Sequence, residues 1–133
     1  MSRLLLTPGK DKALRRGYPW VFANQVARVE GDPQRGDVVQ VVSHEGEGYG
    51  QALYHDQSLI AGRFLTNDAE RPIDDAFFTE RIDKAVARRR AAYPGATHVR
   101  LVFGESDGLP GTIVDRYGPP CYEGGVLTFT TLV

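Results

Sequence analysis

Two different periods divide this chain. From Leu4 to Leu65 the apolar residues come in short runs, each closed by a turn rich in Gly, Pro or Asp. From Asp74 to Tyr93 they recur instead at steps of three and four. Short β-branched or aromatic runs between turns predict strands, and a three-and-four spacing predicts one face of a helix. A chain of 133 residues patterned this way holds one average domain or two small ones. Two small domains would each be marginal alone, because little of so short a chain can be buried.

The strands can be placed one by one. Leu4–Leu6 opens the chain, and Thr7-Pro8-Gly9 turns it. Lys10–Arg16 predicts a short helix, with Ala13 and Leu14 as its apolar positions, ended by Gly17. In Tyr18-Pro19-Trp20-Val21-Phe22 the proline biases Tyr18 toward extended backbone. Trp20 and Phe22 then share one side, which is expected to fill a barrel core. Val38–Val42 and Tyr49–Tyr54 follow as strands around a His44–Gly48 hairpin loop, and Leu59–Leu65 is a further strand. So many short strands within so short a span predict a small β-barrel.

Asn67–Pro72 is polar and contains a proline, which suits a junction between a domain at 1–67 and another at 68–133. Asp74 or Asp75 can cap the helix that follows. Its predicted apolar stripe is Phe78, Ile82, Ala85, Val86 and Arg89. Arg88, Arg89 and Arg90 suit its C-terminal dipole, and Pro94-Gly95 stops it. Val99–Phe103, Thr112–Tyr117 and Val126–Val133 are expected as strands, with Gly104–Gly111 as a loop. The expected fold is therefore mixed and β-rich: a pseudo-barrel followed by a small α/β domain whose strands flank one long helix.

Composition excludes several classes. Hydrophobic residues at 41% and charged residues at 25% describe a soluble folded chain rather than a disordered one. No apolar run reaches the length needed to span a bilayer, and three leucines near the start are too few for a signal peptide. No membrane role is expected, and a cytoplasmic location is the simplest expectation. A single cysteine, Cys121, leaves no internal disulfide and no cysteine-rich zinc site. His44, His55 and His98 are isolated, without metal-ligand spacing. Net charge is −1, yet residues 1–28 carry six basic side chains against Asp11 alone. Such a face can neutralise phosphates locally, because screening confines charge effects to about 10 Å. A solvated basic helix fits the charge pattern equally well.

Two segments carry a more specific signal. Arg16-Gly17-Tyr18-Pro19-Trp20-Val21-Phe22 resembles the "GHPWVF" signature that opens the large-subunit ribosomal RNA cytosine methyltransferases of the RlmI type. Glu105-Ser106-Asp107-Gly108-Leu109-Pro110-Gly111, with Val114-Asp115-Arg116-Tyr117, resembles that family's "E-x-DGLPGL-x-VDRYG" signature. Gly36–Val39, Tyr49–Tyr54, Ser58–Arg63, Phe77-Phe78 and Arg81-Ile82 fall in the matching order between them. The resemblance covers residues 3 to 118. It implies a PUA domain, which is a small RNA-binding pseudo-barrel, at 1–67 and an α/β linker domain from 68 onward. The family's third part, a class I methyltransferase domain that binds S-adenosylmethionine, has no counterpart among these residues. Position 18 is Tyr where the family usually has His, and position 112 is Thr where it usually has Leu. Pro119–Gly125 departs from the hydrophobic strand expected there, as a truncated gene, a frameshift or a degenerate copy would explain.

Chemistry within this stretch is not expected. There is no strand–Gly-rich turn–helix unit for the cofactor, and Gly46–Gly50 fits a hairpin better. Methylation at carbon 5 of cytosine requires a thiolate, and Cys121 has no basic or histidine neighbour to activate it. Glu105, Asp107 and Asp115 are expected to be structural: Asp107 capping its own turn, Asp115 pairing with Arg116 or another arginine. The expectation is an RNA-binding N-terminal fragment with no catalytic, cofactor or metal residue of its own, S-adenosylmethionine belonging to the full-length family. By resemblance, PUA domains grip RNA near a short helix and an adjoining strand. The RNA-binding candidates are therefore Lys10, Lys12, Arg15, Arg16, Gly17 and Tyr18, together with Arg63, and the expected partner is ribosomal RNA. Arg88–Arg90 is either a solvated helix face or a second phosphate contact. The alternative from another class is a protein-interaction module that forms a homodimer through its linker domain.

Overall fold

The computed structural model describes residues 1–131, which fall into two compact units, Met1–Arg71 and a second from Pro72 on. In the first unit lie β1 (Arg3–Leu6), α1 (Lys12–Arg15), β2 (Trp20–Phe22), β3 (Val26–Glu30), β4 (Val38–Val42), β5 (Gly48–Tyr54) and β6 (Ile60–Thr66). The strands form one sheet in the order β2-β6-β5-β4-β1-β3, antiparallel throughout except for the β1–β4 pair.

Alternation explains which side chains face inward. Val39 and Val41 on β4, Leu4 and Leu6 on β1, and Val21 on β2 are buried, and Leu14 of α1 and Ala52 of β5 close the same cluster. Each fully buried Val or Leu stabilises the fold by about 1.5–3 kcal/mol. The sheet curls into a half-barrel. β6 and β1 are separated by two strands, yet a Cβ on Gly62 would lie 3.2 Å from Leu4 Cδ1. The β-rich barrel expectation is therefore met. One strand was not expected: β3 carries Arg28 and Glu30 and pairs at the sheet edge with β1, where Glu30 accepts from both Arg3 and Arg28 at 2.5 Å. The buried Gln51 donates to the carbonyls of Asp68 and Arg71, and Gln40 donates to that of Ala69. These bonds hold the chain after β6 against the first unit.

The second unit consists of α2 (Asp75–Ala92) and the antiparallel sheet β7 (His98–Phe103), β8 (Thr112–Tyr117) and β9 (Val126–Thr131), in that order. Asp74 caps α2 by accepting from the Phe77 amide at 3.0 Å. The buried side of α2 matches the expected stripe in part. Ala85 is buried and Val86 and Arg89 are half-buried, but Phe78 and Ile82 are exposed and Phe77 is buried instead. Arg81, Arg88 and Arg89 reach the Gly104–Gly111 segment.

Asp107 is the hub of those contacts. Its carboxylate is almost fully buried and accepts from Arg88 at 2.6 Å, from Arg89 at 2.6 and 2.8 Å, and from the Phe103 amide at 2.7 Å. It thus ties α2 to the end of β7 rather than capping its own turn. Gly108 has φ +68°, and a Cβ there would run into the Arg81 guanidinium, which itself donates to the Gly108 carbonyl at 2.8 Å. Leu109 then enters the core with Ala85, Val102 and Val114. Asp115 pairs with Arg100 across the β7–β8 ladder at 2.8 and 3.0 Å, not with Arg116. The chain re-forms a strand at β9 after Pro119–Gly125, and the last two positions of the expected Val126–Val133 strand lie outside the described residues. Among the described residues no helix is long and apolar enough to cross a membrane.

Candidate nucleic-acid interface

Helix α1 is only four residues long and is anchored by Leu14. The Asp11 side chain does not cap it. Its carboxylate accepts instead from Arg15 at 2.8 Å and from the Tyr49 hydroxyl. Those two hydrogen bonds hold the Asp11 carboxyl below its usual range, the one from Tyr49 foremost. Burial, reinforced by donation to Asp11, pushes the Tyr49 hydroxyl up to about 12. Arg15 also reaches Glu47 at 3.2 Å and lies 5.4 Å from the centroid of the Tyr49 ring. The guanidinium is thus braced onto β5 and the loop before it, and two carboxylates offset its charge.

The other cations of the first 28 residues divide clearly. Arg3 and Arg28 pair with Glu30 on the β1–β3 edge. Lys10, Lys12 and Arg16 are exposed and have no ion-pair partner among the described residues. Lys12 and Arg15 line a cleft of about 360 Å³ between the Thr7–Gly9 turn and the Ser43–Glu45 loop. Its acidic members are Asp11 and Glu45.

The exit from α1 leads to an aromatic face. Gly17 adopts φ +83° with open space where a Cβ would stand, so backbone conformation alone favours glycine there. The Tyr18 amide returns to the Ala13 carbonyl at 3.1 Å. Tyr18 is 44% exposed and stacks on Phe22 at 6.3 Å, and Trp20 meets both rings edge-on at 6.0 and 6.4 Å. Arg63, directly opposite Trp20 on β6, holds its guanidinium 5.4 Å from the centroid of the indole's ring system.

Trp20 and Phe22 were expected in the barrel core; both are only partly buried, and Val21 between them is the residue that points inward. A three-residue edge strand can turn one side chain in, and the core accepted the smaller one. Alternation around a β-branched residue was the signal for this, outweighed in the sequence by the size of the rings. The structure therefore links Tyr18 to Arg63 through Trp20, and places Lys10, Lys12, Arg15 and Arg16 at the helix that precedes them. Asp11 and Tyr49 hold Arg15; Tyr49 stood in the Tyr49–Tyr54 motif, but nothing in the sequence tied it to Asp11.

Comparison with known proteins fits this geometry. A PUA-like domain model matches residues 4–67. Ribosomal RNA large subunit methyltransferase I of Shewanella amazonensis is 46% identical over 117 residues, which is 86% of this chain and 30% of that protein. The protein of the same name from Klebsiella pneumoniae is 41% identical over 118 residues, covering 87% and 30%. Among solved structures, a Streptococcus mutans protein described as a SAM-dependent methyltransferase superposes with a TM-score of 0.76 at 19% identity, over 99% of this chain and 34% of that one. A methyltransferase complexed with SAH gives the same TM-score at 20% identity, over 98% and 33%. These two likenesses are of fold. The chain spans about a third of the length of the proteins it matches. Over that share it is similar to the ribosomal RNA large subunit methyltransferase I proteins, and its first unit is a PUA-like domain.

Proposed function

We propose that this chain is the RNA-binding portion of a cytoplasmic ribosomal RNA methyltransferase, with 1–67 as the gripping domain and 68–133 as the linker domain. The observation that carries this is the grouping on one PUA-like unit of Lys10, Lys12 and Arg16, unpaired among the described residues, beside the Tyr18–Trp20–Phe22 face backed by Arg63. Cations without protein partners neutralise phosphates at the least desolvation cost, and exposed rings offer stacking planes to unpaired bases. Arg15 and Gly17 serve the same face by fixing the helix and its exit.

S-adenosylmethionine, the methyl donor for the family, does not fit the described residues. The sheet of the second unit is antiparallel, and the single parallel pair in the first, β1–β4, is followed by no long helix at a Gly-rich turn. Cofactor chemistry is therefore assigned to none of the described residues.

The test is equilibrium binding to a large-subunit ribosomal RNA transcript at low salt, comparing the wild type with a Lys12→Glu/Arg16→Glu variant. The proposal expects binding that the reversal weakens by tenfold or more. Equal affinity of the two proteins would overturn it. A second proposal, a homodimer, draws on β9, an edge strand that is exposed at every position and carries Phe129 at 71% exposure. Sedimentation giving a dimer that Phe129→Lys converts to monomer supports it, and a monomeric wild type rejects it.

A further inference from the structure

The second unit contains a groove of about 630 Å³ between the C-terminal turn of α2, β7 and β8, and the Pro119–Glu123 segment. Its apolar lining includes Val86, Val99 and Leu101. Three arginines line it against one carboxylate, Glu123. Arg89 is committed to Asp107. Arg90 is exposed and has no ion-pair partner among the described residues. Arg116, opposite Val99 in the ladder, donates from Nη2 to the Ala96 carbonyl at 2.7 Å, but its Nε is buried without an acceptor.

An orphaned charged donor is costly unless something supplies an oxygen. Two aromatic rings stand on the same lining, Tyr93 at 62% and Tyr122 at 85% exposure. Exposed tyrosines beside the ion-pair-free Arg90 and the partly satisfied Arg116, on a partly apolar lining, match the chemistry of an unpaired nucleotide: rings for the base, arginines for the phosphate. The excess of positive charge suits an anionic occupant better than a basic or purely apolar one, and the exposed rings favour one that carries bases.

We infer that this groove is a second RNA-contact site, which takes one unpaired nucleotide of the bound strand, stacked on Tyr93 or Tyr122 with its phosphate on Arg90 and Arg116. The inference rests on the proposed RNA-binding function, but uses none of the residues that carry it.

The experiment is an NMR titration of the full chain with an unstructured oligouridylate of ten nucleotides, following backbone amides and the Arg116 Nε–H resonance. The expected result is a shift of Arg116 Nε–H together with the Tyr93 and Tyr122 amides, and a loss of affinity of about fivefold or more in Arg90→Ala and in Tyr122→Ala, both exposed positions. Those shifts should persist in Lys12→Ala/Arg16→Ala. If the oligonucleotide moves only residues 10–18 and 63, the groove is not a contact, although RNA binding by the first unit stands. If it moves neither set, both proposals fall together. An equal response of the groove to a blunt RNA duplex would overturn the assignment to an unpaired nucleotide.

Discussion

Arg15 and Arg16 are adjacent but differently employed: the first is held by Asp11 and Glu47, and the second has no ion-pair partner among the described residues. Their alanine variants should separate accordingly. Arg16→Ala is expected to lower the salt dependence of RNA binding by about one phosphate contact while leaving the melting temperature unchanged. Arg15→Ala should lower the melting temperature and change the salt slope less. Parallel salt titrations and thermal melts check both. Asp107 offers a sharper test of stability. Asp107 is buried but Arg88 and Arg89 keep some contact with water, so Asp107→Asn should cost about 1–3 kcal/mol, read from denaturant unfolding. Burial alone would raise the Asp107 carboxyl, but hydrogen bonds from Arg89 and the Phe103 amide outweigh it and hold it below the usual value of 3.8. Its stabilising effect is therefore complete above about pH 4 and is lost as pH falls through the lowered value. Melting temperature measured from pH 7 down to pH 3 should drop more in the wild type than in Asp107→Asn.

Elements were legible in proportion to how much of their pattern is local. Strands β1, β4, β5, β6, β7 and β8 announce themselves by β-branched or apolar runs between turns, and α2 by its spacing and its Asp74 cap. Asp74→Ala should cost about 1 kcal/mol, measurable as a lower midpoint in thermal unfolding. What local pattern could not supply was the buried face of the first half of α2. Phe78 and Ile82 carry the right spacing, but Phe77 is the buried ring, and Arg81, one turn on from it, reaches the Gly108 carbonyl twenty-seven residues away. Strand β3 was hidden for a related reason: an edge strand with alternating charge has little hydrophobic signature, and its pairing with β1 is fixed by register and by Glu30. The "DGLPG" segment was legible as a turn, while its service as an anchor for α2 needed the fold.

Across the whole molecule, a net charge of −1 conceals a local excess: of the six cations in residues 1–28, three have no ion-pair partner among the described residues and three do. The ordered motifs made the PUA-like unit and the methyltransferase kinship readable from the sequence. The binding face was readable only in part, because the basic residues could be named but not sorted into braced and unpaired, and the aromatic face was expected inside. RNA binding by this chain depends on electrostatic contact with that face. The direct test is the affinity of the full chain for a large-subunit ribosomal RNA fragment across a series of salt concentrations, alongside a Lys10→Ala/Lys12→Ala/Arg16→Ala variant. For three phosphate contacts to single-stranded RNA, the log–log slope of the wild type should be steeper than that of the triple variant by about 2. A wild type that fails to bind at low salt, or a slope that the triple variant leaves intact, would contradict it.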